Sequence, residues 1–261
     1  MDEDPLRAVR SKKEASINGC MQLLKEKKVE AVFSAGSTGA TLISAITILG
    51  KQRGVIRPAI ASVLPTIERS VILLDSGASL DVKPKVLYQF AVMGSKLAEA
   101  LFDIESPKIG LLNNGEEESK GRELEKSAFK LLNSSSLNFV GNVEGRDFAT
   151  NKVDVFVTDG FTGNVVLKTL EGTAKLQQNL ISSSLKQNLF KPFLPSVKKA
   201  LKPVKDQLNP DKTNASYLLG VDGLVTIGHG SSKQEAIMNG IQYTNESINK
   251  DFIGKFSDAI K

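Results

Sequence analysis

Short apolar stretches alternate along the chain with longer segments of helical period. Val29–Ser34, Val71–Asp75 and Val153–Thr158 are typical strands, and the longest segment with helical spacing is Lys85–Phe102. Because these strands lack strict alternation of apolar and polar residues, we predict a mostly parallel sheet with helices on both faces. The short break at Pro65–Arg69 predicts an antiparallel hairpin, so the sheet is expected to be mixed.

Twenty uncharged residues lie between Glu30 and Lys51, enough by length alone to cross a bilayer. Serine, threonine and glycine interrupt this stretch throughout, and such residues are costly in hydrocarbon. We therefore predict a strand, a loop and a helix there. The first residues of the chain have neither the basic nor the apolar region of a secretory signal, so we expect no export by this route.

The composition is that of an ordinary globular protein. Of 261 residues, 41% are hydrophobic and 24% are charged, which excludes wholesale disorder. The single cysteine, Cys20, cannot form an internal disulfide, and this favours the cytoplasm. The net charge of +5 is a mild excess that does not single out nucleic acid as a partner.

The segment 180–208 differs in composition from the rest of the chain. Three prolines at 192, 195 and 203 are expected to break any single helix, which predicts a protruding amphipathic helical hairpin. Between Leu189 and Asp206 there are five lysines and no acid: Lys191, Lys198, Lys199, Lys202 and Lys205. Two interpretations stay open at this point. The hairpin is either a solvated excursion or dimer contact, or a surface that binds anionic lipid while four apolar side chains insert: Leu189, Phe190, Phe193 and Leu194.

Small and polar residues follow five of the predicted strands. In open α/β sheets, ligands bind beyond the carboxyl ends of strands, so we expect these loops to meet at one edge. Glycine allows close approach, hydroxyls donate hydrogen bonds, and helix N-termini attract anions, which together imply a phosphate ligand. The sequence contains neither nucleotide-binding glycine fingerprint. The five loops are Ser34–Gly39, Asp75–Ser79, Asn113–Glu117, Thr158–Asn164 and Gly228–Ser232.

Metal and serine-hydrolase chemistry find little support in the sequence. One histidine, His229, and one cysteine cannot build a zinc site, and the nucleophile elbow of serine hydrolases does not occur. Carboxylates at Asp81 and Glu116–Glu118 have the chemistry for a divalent ion, but consecutive glutamates at a helix start are more typical of dipole partners. We therefore expect no metal and no cofactor.

In this order, the loops resemble those of the bacterial phosphate acyltransferase family of phospholipid synthesis. Among the matching motifs are Ser-Ala-Gly-Ser-Thr-Gly-Ala and Asp-Gly-Phe-Thr-Gly-Asn. The resemblance extends across the chain, so 1–261 is expected to be a single α/β acyltransferase domain that contains the hairpin. It rests on Met1–Pro5, Ser34–Ala40, Arg57–Ala61, Gln89–Ser95, Gly115–Gly121, Gly141–Asp147, Asp159–Lys168 and His229–Ser232.

The resemblance implies a fold similar to that of isopropylmalate and isocitrate dehydrogenases, a three-layer αβα sandwich that forms homodimers. It implies an enzyme that converts the long-chain acyl thioester of acyl carrier protein and inorganic phosphate to acyl phosphate. The implied location is cytoplasmic and peripheral on the inner face of the membrane, beside the acyl-phosphate glycerol-3-phosphate acyltransferase that uses the product. Family members have an N-terminal β-α-β portion before the Met-Asp-Glu motif, which this sequence is expected to lack.

Residue roles follow from the loops and from the resemblance together. We predict that phosphate is bound by Ser37, Thr38, Gly39, Gly163 and Ser231. Lys168 is expected one helical turn beyond Asn164 on the same face, as a second part of the phosphate site. The catalytic prediction comprises His229, Lys168, Asn164 and Asp159, with His229 as donor to the oxyanion or the leaving thiolate, and Asp159 orienting Lys168 or His229. The acidic carrier protein is expected to dock on Arg122 and Arg146.

Two alternatives remain at this stage. A dehydrogenase of the same fold requires clustered aspartates for a divalent metal and an arginine-rich carboxylate site, and the sequence offers neither. A catalytically impaired homologue acting as a lipid-surface or protein-interaction scaffold is the non-enzymatic alternative.

Overall fold

An eight-stranded mixed sheet forms the centre of the part of the chain that the structure describes. The computed structural model describes residues 3–185, 194–207, 215–230 and 232–249. The strands are β1 Ala31–Ser34, β2 Ala59–Pro65, β3 Ser70–Leu74, β4 Ile109–Leu112, β5 Phe139–Val143, β6 Val155–Val157, β7 Ser216–Leu219 and β8 Leu224–Ile227. The α-helices are α1 Pro5–Ser11, α2 Ser16–Lys25, α3 Thr38–Ile48, α4 Pro84–Phe102, α5 Glu123–Asn133, α6 Gly160–Leu185, α7 Leu194–Gln207 and α8 Gln234–Asn249.

The sheet has two halves that run in opposite directions. Its strand order is β1-β8-β7-β2-β3-β6-β4-β5. β1 is parallel to β8, and β3, β6, β4 and β5 are parallel to one another. Antiparallel pairing of β8 with β7, β7 with β2 and β2 with β3 reverses the direction between these two groups. The predicted mixed sheet and the β2–β3 hairpin are confirmed.

Helices cover both faces of the sheet, which gives the three-layer αβα architecture. Alternate residues of β2 pack into the cores on opposite faces of the sheet. Ala59, Ala61 and Val63 join the core formed with α4 and α5, on the face where α8 also packs. Ile60 points to the other face, where it packs with residues of α2 and α3, and Leu64 there meets Leu167 of α6. A strand buried on both faces explains why the sequence shows near-continuous apolar runs.

The uncharged stretch before Lys51 forms β1, a loop and α3, as predicted. The Ser37 side chain caps α3 by accepting a hydrogen bond from the Ala40 N–H at 3.4 Å. Thr41 and Ser44 are buried, and their hydroxyls are satisfied by hydrogen bonds with Ser34 and Asn18 respectively. Among the described residues, no helix is long and apolar enough to span a membrane.

The segment 180–208 is described only in part. α6 continues to Leu185, well past Leu167, its last buried residue. α7 runs from Leu194 to Gln207 and contains Pro203, so the expectation that this proline ends a helix is wrong. A proline removes one backbone hydrogen bond and kinks a helix, but this helix continues across it. The four apolar residues at the tip of the predicted hairpin lie outside the described residues, or have side chains that do.

Candidate active site

A pocket of about 250 Å³ lies over the middle of the sheet, between α3 and α6. Residues from four of the five predicted loops, or from the helices that they begin, line it. Thr38 follows β1, Ser76 and Gly77 follow β3, Asn164 follows β6, and His229 follows β8. The fifth loop, which follows β4, does not contribute a lining residue. Ser231, the remaining predicted phosphate ligand, lies outside the described residues.

The pocket forms where the two halves of the sheet overlap. β1 and β8 end at Ser34 and Ile227, which are partners, and Ile227 is also paired with Ser216 of β7. In the other half, β3 ends at Leu74, which is paired with Ala61 of β2. Because β2 and β7 pair with each other, the carboxyl ends of β1 and β8 lie at about the same level of the sheet as the carboxyl end of β3. The expectation that the loops meet at one edge is therefore wrong, because they reach the pocket from opposite directions.

The start of α3 forms one wall of the pocket. Thr38, the first residue of the helix, lines the pocket, where the N–H groups of the first turn and the helix dipole favour an anion. Ser37 uses its side chain as the helix cap instead. Gly39 packs against Pro5, because a Cβ atom at Gly39 would lie 3.1 Å from that ring. Of the three residues predicted here, Thr38 is the one that lines the pocket.

The opposite wall is one face of α6. Asn164, Leu167, Lys168 and Glu171 all line the pocket, so Lys168 does lie one turn beyond Asn164 on the same face. Lys168 Nζ is 2.8 Å from Glu171 Oε2, and His229 Nε2 is 3.2 Å from Glu171 Oε1. Burial by itself raises the pKa of Glu171, but the bonds from His229 and Lys168 outweigh burial and lower that pKa below its ordinary value. Glu171 is therefore an anionic bridge between the two predicted catalytic residues.

Asp159 has other partners than the ones predicted from the sequence. Its carboxylate accepts hydrogen bonds from the Thr162 N–H at 2.8 Å and from Arg122 Nη2 at 2.6 Å. Asp159 therefore orients neither Lys168 nor His229; it holds the first turn of α6. Arg122 also pairs with Glu125, and these hydrogen bonds raise the pKa of the guanidinium above its ordinary value. Through these contacts Arg122 anchors α6 to the β4–α5 loop, and its part in carrier docking stays a prediction.

Asp75 fixes the loop that lies beneath α6. Its buried carboxylate accepts from four backbone N–H groups, those of Ile60, Gly77, Ala78 and Ser79. Burial raises the pKa of Asp75, and the four hydrogen bonds oppose that shift. Gly163 packs directly on this loop, since a Cβ atom there would lie 1.9 Å from the Asp75 carbonyl oxygen. Gly163 is therefore needed for close packing and is not among the residues that line the pocket.

Gly163→Ala is expected to lower the free energy of unfolding by at least about 2 kcal/mol, because the new methyl group overlaps backbone atoms. Gly172→Ala in the same helix is the matched control, since a Cβ atom there meets nothing within 4 Å. The control is expected to stabilise the protein by up to about 1 kcal/mol through its helix propensity. Urea denaturation checks both values, and equal effects of the two substitutions would contradict the packing argument.

The remaining predicted residues lie away from the pocket. Arg146 is 75% exposed and pairs with Glu144. Glu116, one of the carboxylates considered for a metal, lies 3.0 Å from Lys152. Within the described ranges, no three metal-ligating side chains come together.

The prediction from sequence did not include Glu171, Ser62 or Ser216, and it placed Ser76 in a ligand-binding loop without giving it a role of its own. Glu171 had a readable signal, because it lies three residues beyond Lys168 and seven beyond Asn164, on the same helical face. The serines come from three separate segments that only the sheet pairing brings together.

Comparison with solved structures shows which fold the chain has. The chain is similar to a EutD phosphotransacetylase from Staphylococcus aureus, with a TM-score of 0.57 at 14% identity, over 93% of this chain and 67% of that one. The protein therefore has the three-layer α/β fold that the phosphotransacylases have.

Comparison of sequences gives the particular family. A family model described as "Fatty acid synthesis protein" matches residues 1–255. A phosphate acyltransferase of Elusimicrobium minutum is 42% identical over 268 residues, which cover 100% of this chain and 76% of the relative. One from Desulfitobacterium hafniense is 45% identical over 255 residues, with coverage of 97% and 76%. The chain belongs to the phosphate acyltransferase family. An acyltransferase is thereby favoured over the scaffold alternative.

Proposed function

We propose that the chain transfers a long-chain acyl group from the thioester of acyl carrier protein to inorganic phosphate, forming acyl phosphate at the first step of phospholipid synthesis. One observation carries the proposal: Thr38, Asn164, Lys168 and His229 face a single pocket. The family relation supplies the reaction class. The pocket supplies groups for an anion and for a developing negative charge, which this reaction requires.

Phosphate is held as the nucleophile between the two walls of the pocket. The start of α3, with Thr38, donates to one side of the anion, and Asn164 and Lys168 donate to the other. A phosphate oxygen forms a bond to the thioester carbon, and collapse of the tetrahedral intermediate breaks the carbon–sulfur bond. Because phosphate near neutral pH is largely deprotonated, the attack needs little general-base assistance. Positioning of the two reactants is the main contribution to catalysis.

His229 serves the acyl side of the reaction. Its Nε2 faces Glu171, so the imidazole is held at the pocket by a carboxylate. Two functions fit this position: a hydrogen bond to the oxyanion of the intermediate, or transfer of a proton to the departing thiolate. Either function assists acyl transfer and leaves phosphate binding largely to other groups.

The proposal is tested by phosphate-dependent release of the carrier-protein thiol from palmitoyl-acyl carrier protein, with acyl phosphate trapped by hydroxylamine. Saturable dependence on phosphate and one trapped acyl phosphate per thiol are expected. Thiol release that is independent of phosphate would contradict the proposal, because it would indicate thioester hydrolysis.

The carrier protein is expected to dock on the protein surface through positive charge. Arg146 keeps its predicted role, since its guanidinium is exposed beside Glu144 and available to an acidic partner. Arg122 is already engaged by Asp159 and Glu125, so its contribution to docking is expected to be smaller.

The product determines the next partner. Acyl phosphate is a mixed anhydride that water hydrolyses, and it must be consumed near its site of formation by an acyl-phosphate glycerol-3-phosphate acyltransferase. We propose accordingly that the protein is a cytoplasmic homodimer that binds the inner face of the membrane peripherally through the 180–208 hairpin. Lys199 and Lys202 of α7 are exposed, and α6 exposes Leu176 and Leu180, which fits this interpretation.

Phe193→Glu is expected to weaken binding to anionic vesicles by more than about tenfold, because an inserted apolar side chain becomes a charge repelled by the lipid. Co-sedimentation with phosphatidylglycerol and phosphatidylcholine vesicles at low salt measures this, and acyl transfer in solution is expected to survive. Ile67→Glu is the control, since Ile67 is an exposed apolar residue in the β2–β3 turn. If the wild type binds both vesicle types equally, or binds neither, the segment 180–208 is not a lipid-binding surface and the solvated-hairpin interpretation is favoured.

A further inference from the structure

Three serine hydroxyls form a row along the floor of the pocket, and the mechanism above does not use them. Ser62 Oγ lies 2.7 Å from Ser76 Oγ and 2.9 Å from Ser216 Oγ. Ser62 and Ser76 are buried, whereas Ser216 is half-buried. All three line the pocket. Ser62 is thus the centre of a row whose most accessible member is Ser216.

The row has a direction because each hydroxyl carries one proton. Ser76 donates its proton to the Ile60 carbonyl at 3.0 Å. Ser62 must then donate to Ser76, and Ser216 to Ser62, so the Ser216 oxygen presents lone pairs to the pocket. The Ile60 carbonyl also accepts the Ser76 N–H at 2.8 Å. It therefore keeps a partner if the row reverses and Ser76 donates to Ser62 instead.

The two ends of the row lie close to residues that the proposed mechanism uses. Ser216 is paired with Ile227, two residues before His229. At the other end, Ser76 precedes Gly77, where a Cβ atom would lie 3.7 Å from the Asn164 side chain. A ligand in this pocket is therefore within reach of the row, because the three serines line the same pocket as Asn164 and His229.

We propose that the serine row is a subsite for one oxygen of the phosphate, and that it reverses when the anion binds, so that Ser216 donates to the ligand. The inference rests on the proposed function for the identity of the anion. A phosphate oxygen that carries no proton offers only lone pairs, so the lone pairs of Ser216 would repel such an oxygen in the direction that the row has without ligand. Reversal replaces this repulsion with a charge-assisted hydrogen bond, supported by two further hydroxyls behind it.

The test measures binding of inorganic phosphate and of sulfate to the full chain by titration calorimetry, without any thioester. Sulfate discriminates because it has no proton to donate at neutral pH and is bound only by donors. Ser216→Ala is expected to weaken both anions by about tenfold, as loss of one charge-assisted hydrogen bond requires. Ser62→Ala, which removes the support and leaves Ser216, is expected to weaken both by about threefold.

Ser44→Ala is the matched control, because this buried hydroxyl donates to Asn18 Oδ1 at 2.7 Å, away from the pocket. The control is expected to bind both anions like the wild type. Weakened phosphate with unchanged sulfate in Ser216→Ala would overturn the reversal, because Ser216 would then be accepting from a protonated phosphate oxygen. If Ser216→Ala binds both anions as tightly as a wild type that binds phosphate and transfers acyl groups, the subsite is overturned and the proposed function stands. A wild type that neither binds phosphate nor transfers acyl groups would overturn the proposed function as well.

Discussion

Lys168→Ala is expected to lower kcat/KM for phosphate by about 100-fold, mostly through a higher KM. The substitution removes a cation that lines the pocket, and it also leaves Glu171 with His229 as its remaining partner at the site. An unneutralised carboxylate repels phosphate, so both changes act in the same direction. Initial rates over a range of phosphate concentrations, with circular dichroism to verify folding, provide the measurement.

Two further variants separate these contributions. Lys175→Ala, an exposed position two turns further along α6, is expected to stay within about twofold of the wild type because surface charges contribute little. The double variant Lys168→Ala/Glu171→Gln removes the repulsion as well as the cation. Full recovery in the double variant would mean that Lys168 acts only by neutralising Glu171, whereas partial recovery is expected if Lys168 contacts phosphate. If Lys168→Ala saturates with phosphate and turns over like the wild type, Lys168 has no part in phosphate binding or catalysis.

Local sequence patterns predicted the layers of the fold but not the direction of every strand. The apolar strands and the Pro65–Arg69 hairpin are read from neighbouring residues, and the structure contains them. The order of strands depends on contacts between distant segments, such as the pairing of β2 with β7. Together with the antiparallel pairings of β7 with β8 and of β2 with β3, that pairing reverses half of the sheet. For this reason the prediction that all loops meet at one edge was wrong.

The predicted start of α5 was wrong because tertiary contacts and a glycine determine where this helix begins. The consecutive glutamates Glu116–Glu118 indicate a helix start in the sequence, but α5 begins at Glu123. Gly121 has a φ of +89°, and because an α-helix needs a negative φ, α5 cannot extend back through this residue. Arg122 and Glu125 then form the cap of the shorter helix.

Helical spacing was also the part of the site that could be read from the sequence. Asn164 and Lys168 share a face because α6 is regular, and Glu171 follows from the same spacing. The partner of Asp159 could not be read in this way. Arg122 reaches it from a loop 37 residues earlier, and that contact exists only because β4 and β6 are neighbours in the sheet.

His229→Gln is expected to lower kcat by about 100-fold or more, with a much smaller effect on phosphate binding. Glutamine keeps a donor that can face Glu171, so the change tests the chemistry of the imidazole more than its packing. Phosphate is held by Thr38, Asn164 and Lys168 in the proposed mechanism, and these groups remain. The measurement pairs single-turnover acyl transfer with calorimetric titration of phosphate.

The leaving group then distinguishes the two functions proposed for His229. An aryl thioester expels a thiolate that needs no proton, whereas an alkyl thioester expels a more basic one. If His229 protonates the thiolate, the loss in His229→Gln shrinks with the aryl substrate. If His229 stabilises the oxyanion, both substrates lose the same factor, because the intermediate carries the same charge in each case. An unaltered rate with both substrates would show that His229 takes no part in the reaction and only contacts Glu171.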